Sequence, residues 1–144
     1  MENNDTVKLL IECNSGIKMG EDAIKKVLPR TKSRDMREAL ESTKNTHASL
    51  ADEAHAELKN AGATTKDPHP IARMMSGMKI RTKMMMNPSD KTVAHLMTDG
   101  CDMGIKSIYS YLNEYPKASR ASVDIAKRLI ASEEYLEAKM RKHL

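Results

Sequence analysis

Apolar residues along this chain return every three or four positions, and almost nowhere every two. Val7, Leu10, Ile17, Ile24 and Leu28 keep a helical period, which predicts a first helix over about 5–28 with one buried stripe. Asn4 or Asp5 stands where a cap is needed, and Pro29 cannot continue the helix. A second helix is expected from about Ser33, with Met36, Leu40, Thr43, His47, Leu50, Ala54 and Leu58 on one side. Gly62 closes it, since glycine suits the left-handed position after a helix end. Asp67-Pro68-His69-Pro70 forms a stiff turn, then a shorter amphipathic segment spans Ile71 to Met86, and Asn87-Pro88-Ser89 breaks it. A third long helix runs to about Asn113 and stops at Tyr115-Pro116. The fourth begins near Ser119 and continues through Ile125, Leu129, Leu136 and Met140 to the C-terminus. No stretch alternates apolar and polar residues long enough for a strand. The pattern predicts one all-α domain over 1–144, with a hairpin at 5–60, a crossover at 62–88 and a second hairpin at 89–143.

The two hairpins are copies of one another. Shifted by 84 positions, Gly16-Ile17-Lys18-Met19-Gly20 falls on Gly100-Cys101-Asp102-Met103-Gly104, Ile24 on Ile108 and Leu28 on Leu112. Two extra residues in the second turn bring Leu50 onto Leu136 and His47 onto Glu133. Glycine inside a helix costs about 1 kcal/mol against alanine. Its return at the same i, i+4 positions therefore predicts a close contact between the first and third helices through Gly16, Gly20, Gly100 and Gly104. The connector of about 30 residues between the second and third helices far exceeds what a tight antiparallel pair needs. A crossover that traverses the bundle follows, so the second and third helices run the same way and the first and third run opposite ways.

Three stretches carry a family likeness: Cys13-Asn14-Ser15-Gly16-Ile17-Lys18-Met19-Gly20, Pro68-His69-Pro70-Ile71-Ala72-Arg73-Met74-Met75 and Asp99-Gly100-Cys101-Asp102-Met103-Gly104-Ile105. With them the chain resembles, over nearly its whole length, a ferritin-like family of bacterial four-helix domains of unknown function. The resemblance implies a ferritin-like four-helix bundle. Its motifs are packing motifs, and it implies no catalytic residues.

Ferritin-like di-metal centres draw a Glu from each of two helices and a Glu-x-x-His pair from each of the other two. No Glu-x-x-His occurs here, and the nearest pattern, Asp52-Glu53-Ala54-His55, puts His55 off the predicted core stripe. Glu12 aligns with Leu96 and Glu21 with Ile105, so no carboxylate pair repeats on the first and third helices. A standard di-metal centre is not expected, and no cofactor is implied. Asn14, Glu21, His47 and Glu133 nevertheless fall on inward stripes. Buried polar groups of this kind need partners, which predicts a structural hydrogen-bond or ion-pair network. The alternative is a one-sided metal pocket of Glu21, His47 and Glu133.

Composition sharpens this picture. With no Trp, no Phe and four Tyr among 144 residues, the core must be aliphatic, and twelve Met are available to fill its gaps. Met74, Met75, Met78, Met84, Met85 and Met86 crowd the crossover. They are expected to lie on the chain's own bundle or to form an interface through Met74, Met75, Met78, Met84 and Met85, making a homodimer. A copper(I) site is the less favoured use of the thioethers. Residues 66–91 hold six Lys and Arg against two Asp, a net +4 that equals the charge of the whole chain. This basic segment allows weak contact with an anionic surface, a membrane or a nucleic acid. No aromatic residue stands there to stack on bases, and no specific nucleic-acid recognition is expected. No apolar run is long enough to span a bilayer, and the N-terminus lacks the pattern of a signal peptide. Cys13 and Cys101 have no metal-type spacing and read as reduced core thiols of a cytoplasmic protein, with a disulfide as the alternative. Without a phosphate loop or a nucleophile–base motif, the sequence predicts a non-enzymatic bundle that acts by protein–protein contact or self-association.

Overall fold

The computed structural model describes residues 4–63, 84 and 88–144. Four helices account for most of them: α1 (Asn4–Val27), α2 (Arg34–Asn60), α3 (Asp90–Glu114) and α4 (Arg120–Arg141). A 3-10 turn, Leu28–Arg30, holds Pro29 and separates α1 from α2. No strand occurs among the described residues. Ser33, Ser89 and Ser119 each accept a hydrogen bond from the amide three residues on, that of Met36, Thr92 and Ser122. Each such cap stabilises its helix by about 1 kcal/mol. Gly62 has φ +75°, and the Ala63 amide reaches back to the Leu58 carbonyl at 2.8 Å. That is the left-handed stop for which glycine is best suited.

Two sets of hydrogen bonds define the helix directions. The amides of Lys32 and Ser33 donate to the Asp90 carboxylate at 2.8 and 2.9 Å, so α2 and α3 start at the same end. At the other end the Lys117 amide donates to Asp5 and the Ser119 amide to the Thr6 hydroxyl, both at 2.8 Å, so α1 and α4 start together there. α2 and α3 are thus parallel and α1 and α3 antiparallel, the directions that a traversing connector requires. The main contacts join α1 to α2, α3 to α4 and α2 to α4.

The core divides into two halves. One holds Leu9, Cys13, Ile17, Leu50, Ile108 and Ile125. The other holds Ile24, Ala39, Val93, Met97, Cys101 and Leu136. Positions matched by the 84- and 86-residue shifts fall in opposite halves: Leu9 with Val93, Ile17 with Cys101, Ile108 with Ile24, Leu50 with Leu136. Both cysteines are free and buried, one in each half. The crossover lies outside the described residues except for Met84. That residue is 6% exposed and packs in the half-core of Val93 and Met140. Met84 is expected either on the chain's own bundle or at an interface, and the interface placement is corrected. It is part of the chain's own core, because an apolar thioether beside the first turns of α3 buries more surface inward than outward. Met74, Met75, Met78 and Met85 lie outside the described residues.

Asp90 accepts two backbone hydrogen bonds from a connection 57 and 58 residues earlier in the chain. Asp90→Ala is expected to lower the unfolding free energy by about 1–2 kcal/mol, since two amides then turn to water. Urea denaturation measures this, and an unchanged midpoint would show the clamp to contribute nothing.

Candidate functional site

His47 on α2 and Glu133 on α4 meet where the two half-cores join. His47 is 1% exposed, and its Nε2 lies 3.2 Å from Glu133 Oε1. A carboxylate only accepts, so Nε2 carries the hydrogen and donates. His47 Nδ1 and the hydroxyl of Thr43, one turn earlier, have no hydrogen-bond partner among the described residues. Cys101 on α3 completes the group. Burial pushes its thiol far above the ordinary range, and the charge of Glu133 and a hydrogen bond to it add to the effect. The structure thus brings together two of the three residues of the predicted pocket. Glu21 remains half-buried on α1, and no group of three or more His, Cys, Asp or Glu among the described residues is arranged to hold a metal ion.

The glycines serve this pair. A Cβ added at Gly20 would stand 3.1 Å from His47 Cε1, and one at Gly104 would stand 3.6 Å from Glu133 Cδ. At Gly16 and Gly100 an added Cβ meets nothing within 4 Å among the described residues. The expected close approach of the first and third helices through all four glycines is therefore corrected. α1 and α3 do touch, but Gly20 makes room for a ring on α2 and Gly104 for a carboxylate on α4, while the other two make room for nothing described. A period of four places residues on one face of a helix; it does not say which helix that face meets.

Other polar groups are satisfied in pairs. Asn14 is buried, and its Oδ1 lies 3.1 Å from His55 Nε2. His55, expected off the core face, thus folds inward far enough to bond a buried amide. Thr98, the repeat partner of Asn14, is buried and donates instead to the Ala94 carbonyl of its own helix at 2.9 Å. Glu137, one turn after Glu133, has its carboxyl pushed above the usual range by a hydrogen bond with Asp102, then by burial and by the Asp102 charge. The Cys13 thiol is raised to about 12, mainly by burial. Thiols held protonated are poor nucleophiles and poor metal ligands. Sequence reasoning missed Cys101 as a partner of Glu133 and missed the Asp90 and Thr6 clamps. One signal for the clamps was present: Thr6 and Asp90 are 84 apart and Ser33 and Ser119 are 86 apart, the spacings of the repeat.

Outside the core, the outer face of α3 stands bare. Met103 is 68% exposed, with Gly100, Ser107 and Ser110 exposed beside it, whereas their repeat counterparts Gly16, Met19 and Ala23 on α1 are half-buried. Bridges between helices are formed by Arg128 with Glu53 and by Lys142 with Asp35. No helix among the described residues is long and apolar enough to cross a membrane.

No protein-family model matches the sequence, and no curated protein matches it. Among solved structures, the chain is similar to the crystal structure of a DUF305 fragment from Deinococcus radiodurans, with a TM-score of 0.75 and 14% identity over 96% of this chain and 94% of that one. At that identity the likeness is one of fold: this chain is an all-helical domain of the same overall shape as that fragment.

Proposed function

We propose that this chain is a non-enzymatic bundle of ferritin-like topology, built from two copies of one helical hairpin, that acts by protein–protein contact, first of all with a second copy of itself. The observation that carries this reading is Met103, 68% exposed on the outer side of α3 between exposed Gly100 and Ser107. A flexible thioether held in water beside a helical glycine is a side chain suited to packing against a partner surface. A second copy laid antiparallel across Met103 would bring Lys106 of each chain toward Asp99 of the other, since these lie on either side of Met103. That matches the self-complementarity which a two-fold interface demands.

The ferritin-like topology rests on the helix directions and on the long connector. The two-hairpin origin rests on the matched clamps and half-cores. The absence of catalysis rests on the centre of the bundle, where the His47 ring is buried and the Cys101 thiol is held protonated. Met74, Met75, Met78 and Met85, expected at a dimer interface, are proposed as a second contact between copies.

Sedimentation at roughly 100 μM, a concentration at which even a small specific interface is populated, should show a dimer. Met103→Glu should weaken it at least about tenfold, because a charge would be buried at the contact. A wild-type chain that stays monomeric there would remove self-association. A dimer indifferent to Met103→Glu would move the contact off α3.

A further inference from the structure

Charge in this protein is sorted by bundle end. The end where α2 and α3 begin is built from residues 25–38, 88–95 and 137–144, which hold ten Lys and Arg against four Asp and Glu, a net +6. The opposite end, cut to the same depth as residues 4–9, 56–63 and 109–124, holds four against four, a net of zero. The chain as a whole carries +4, so one end is more basic than the entire molecule. All four acids of the basic end are engaged. Asp90 takes the amides of Lys32 and Ser33. Glu38 pairs with Arg34, Asp35 with Lys142, and Glu137 faces Arg141. These pairs neutralise three cations. Of the seven cations left with no ion pair among the described residues, Lys139 lies over the Tyr135 ring, and the other six are Lys25, Lys26, Arg30, Lys32, Arg37 and Lys91, all but Lys26 exposed. Two helices begin and two end here, so the helix dipoles largely cancel and the potential comes from the side chains.

From this we infer that the basic end of the bundle docks on an anionic lipid bilayer. The six cations come from the last turn of α1, the 3-10 turn and its exit, and the first turns of α2 and α3, so they surround an end rather than line a groove. A planar layer of anionic headgroups can meet such an end at many points at once, and each basic residue near it strengthens binding by a similar step. Pro29 and Leu144 are exposed at the same end and add a small apolar contact. Nucleic acid is the poorer fit. Of the four Tyr only Tyr135 approaches this end, with Lys139 at 5.8 Å over its ring; one such ring is a scant stacking platform for unpaired bases, and a closed cap of helix ends presents no element to a duplex groove. This surface is separate from the exposed face of α3, which would stand clear of the bilayer, and it is built from described residues rather than from the run at Lys79, Arg81 and Lys83.

The test uses the full chain and vesicles of phosphatidylcholine with about a third phosphatidylglycerol, an anionic content sufficient to attract basic clusters. Co-sedimentation in about 50 mM salt should show binding that is absent with phosphatidylcholine alone and lost at about 500 mM, where screening shortens the reach of charge to a few ångströms. Neutralising Lys25, Arg30 and Arg37 together with Gln should weaken binding about fivefold per charge, roughly a hundredfold in all. The same change at Lys59 and Arg120, on the opposite end, should leave it unaltered. Equal binding to uncharged vesicles would overturn the proposal. So would full retention by the triple variant, or loss caused only by neutralising Lys79, Arg81 and Lys83. Displacement from the vesicles by a stoichiometric DNA duplex would also overturn it, in favour of a nucleic-acid partner.

Discussion

Replacing His47 with leucine is expected to lower the unfolding free energy by about 3 kcal/mol, and replacing Glu133 as well should restore most of that loss. His47 is 1% exposed and its Nε2 donates to Glu133. Leucine fills much of the space but leaves the Glu133 carboxylate without its imidazole partner. The Glu133 side chain is 12% exposed, so it reaches some water, and the loss belongs at the lower end of the range for breaking a buried pair. In the double variant two leucines face each other where the two half-cores join, and the buried polar group is gone. Well-packed apolar replacements of buried pairs are often neutral or stabilising. Urea denaturation of the four proteins of this cycle gives the coupling directly. Additive losses would mean that the pair does not act as a unit.

Three of the four helical glycines should separate into opposite signs. Gly20→Leu is expected to destabilise by about 2–3 kcal/mol, because overpacking a filled site forces neighbours off their rotamers. The His47 ring is already 3.1 Å from where a Cβ would stand, and moving it breaks the bond to Glu133. Gly16→Ala and Gly100→Ala should each stabilise by up to about 1 kcal/mol, the difference in helix propensity, since an added Cβ there meets nothing described. In a His47→Ala background, Gly20→Leu should lose much of its effect, because the obstructing ring is absent. If Gly16→Leu proves as damaging as Gly20→Leu, the original expectation of a close contact between the first and third helices returns.

The helices and their ends were legible in the sequence because their causes are local. A stripe at three and four, a serine before it and a glycine or Pro after it act within a turn of the residues they govern. The repeat went further. The proposed repeat matches His47 to Glu133 across 86 positions, and the structure sets these two residues of α2 and α4 within hydrogen-bond distance. What only the tertiary structure decided is which groups face each other across helices. Spacing says that Gly16 and Gly20 share a face; it does not say that only Gly20 lies under a ring. Cys101 reads as one more apolar position until it is seen against Glu133. Asp90 reads as a first-turn acid until its carboxylate is seen holding the amides of Lys32 and Ser33. Charge shows the same division. Outside residues 66–91 the chain sums to zero, so its net charge hides the local +4 of residues 25–38. That end forms because the fold brings residues 137–144, net +2, and Lys91 beside residues 25–38, net +4, and electrostatic potential depends on distance in space, which net charge along a chain does not record.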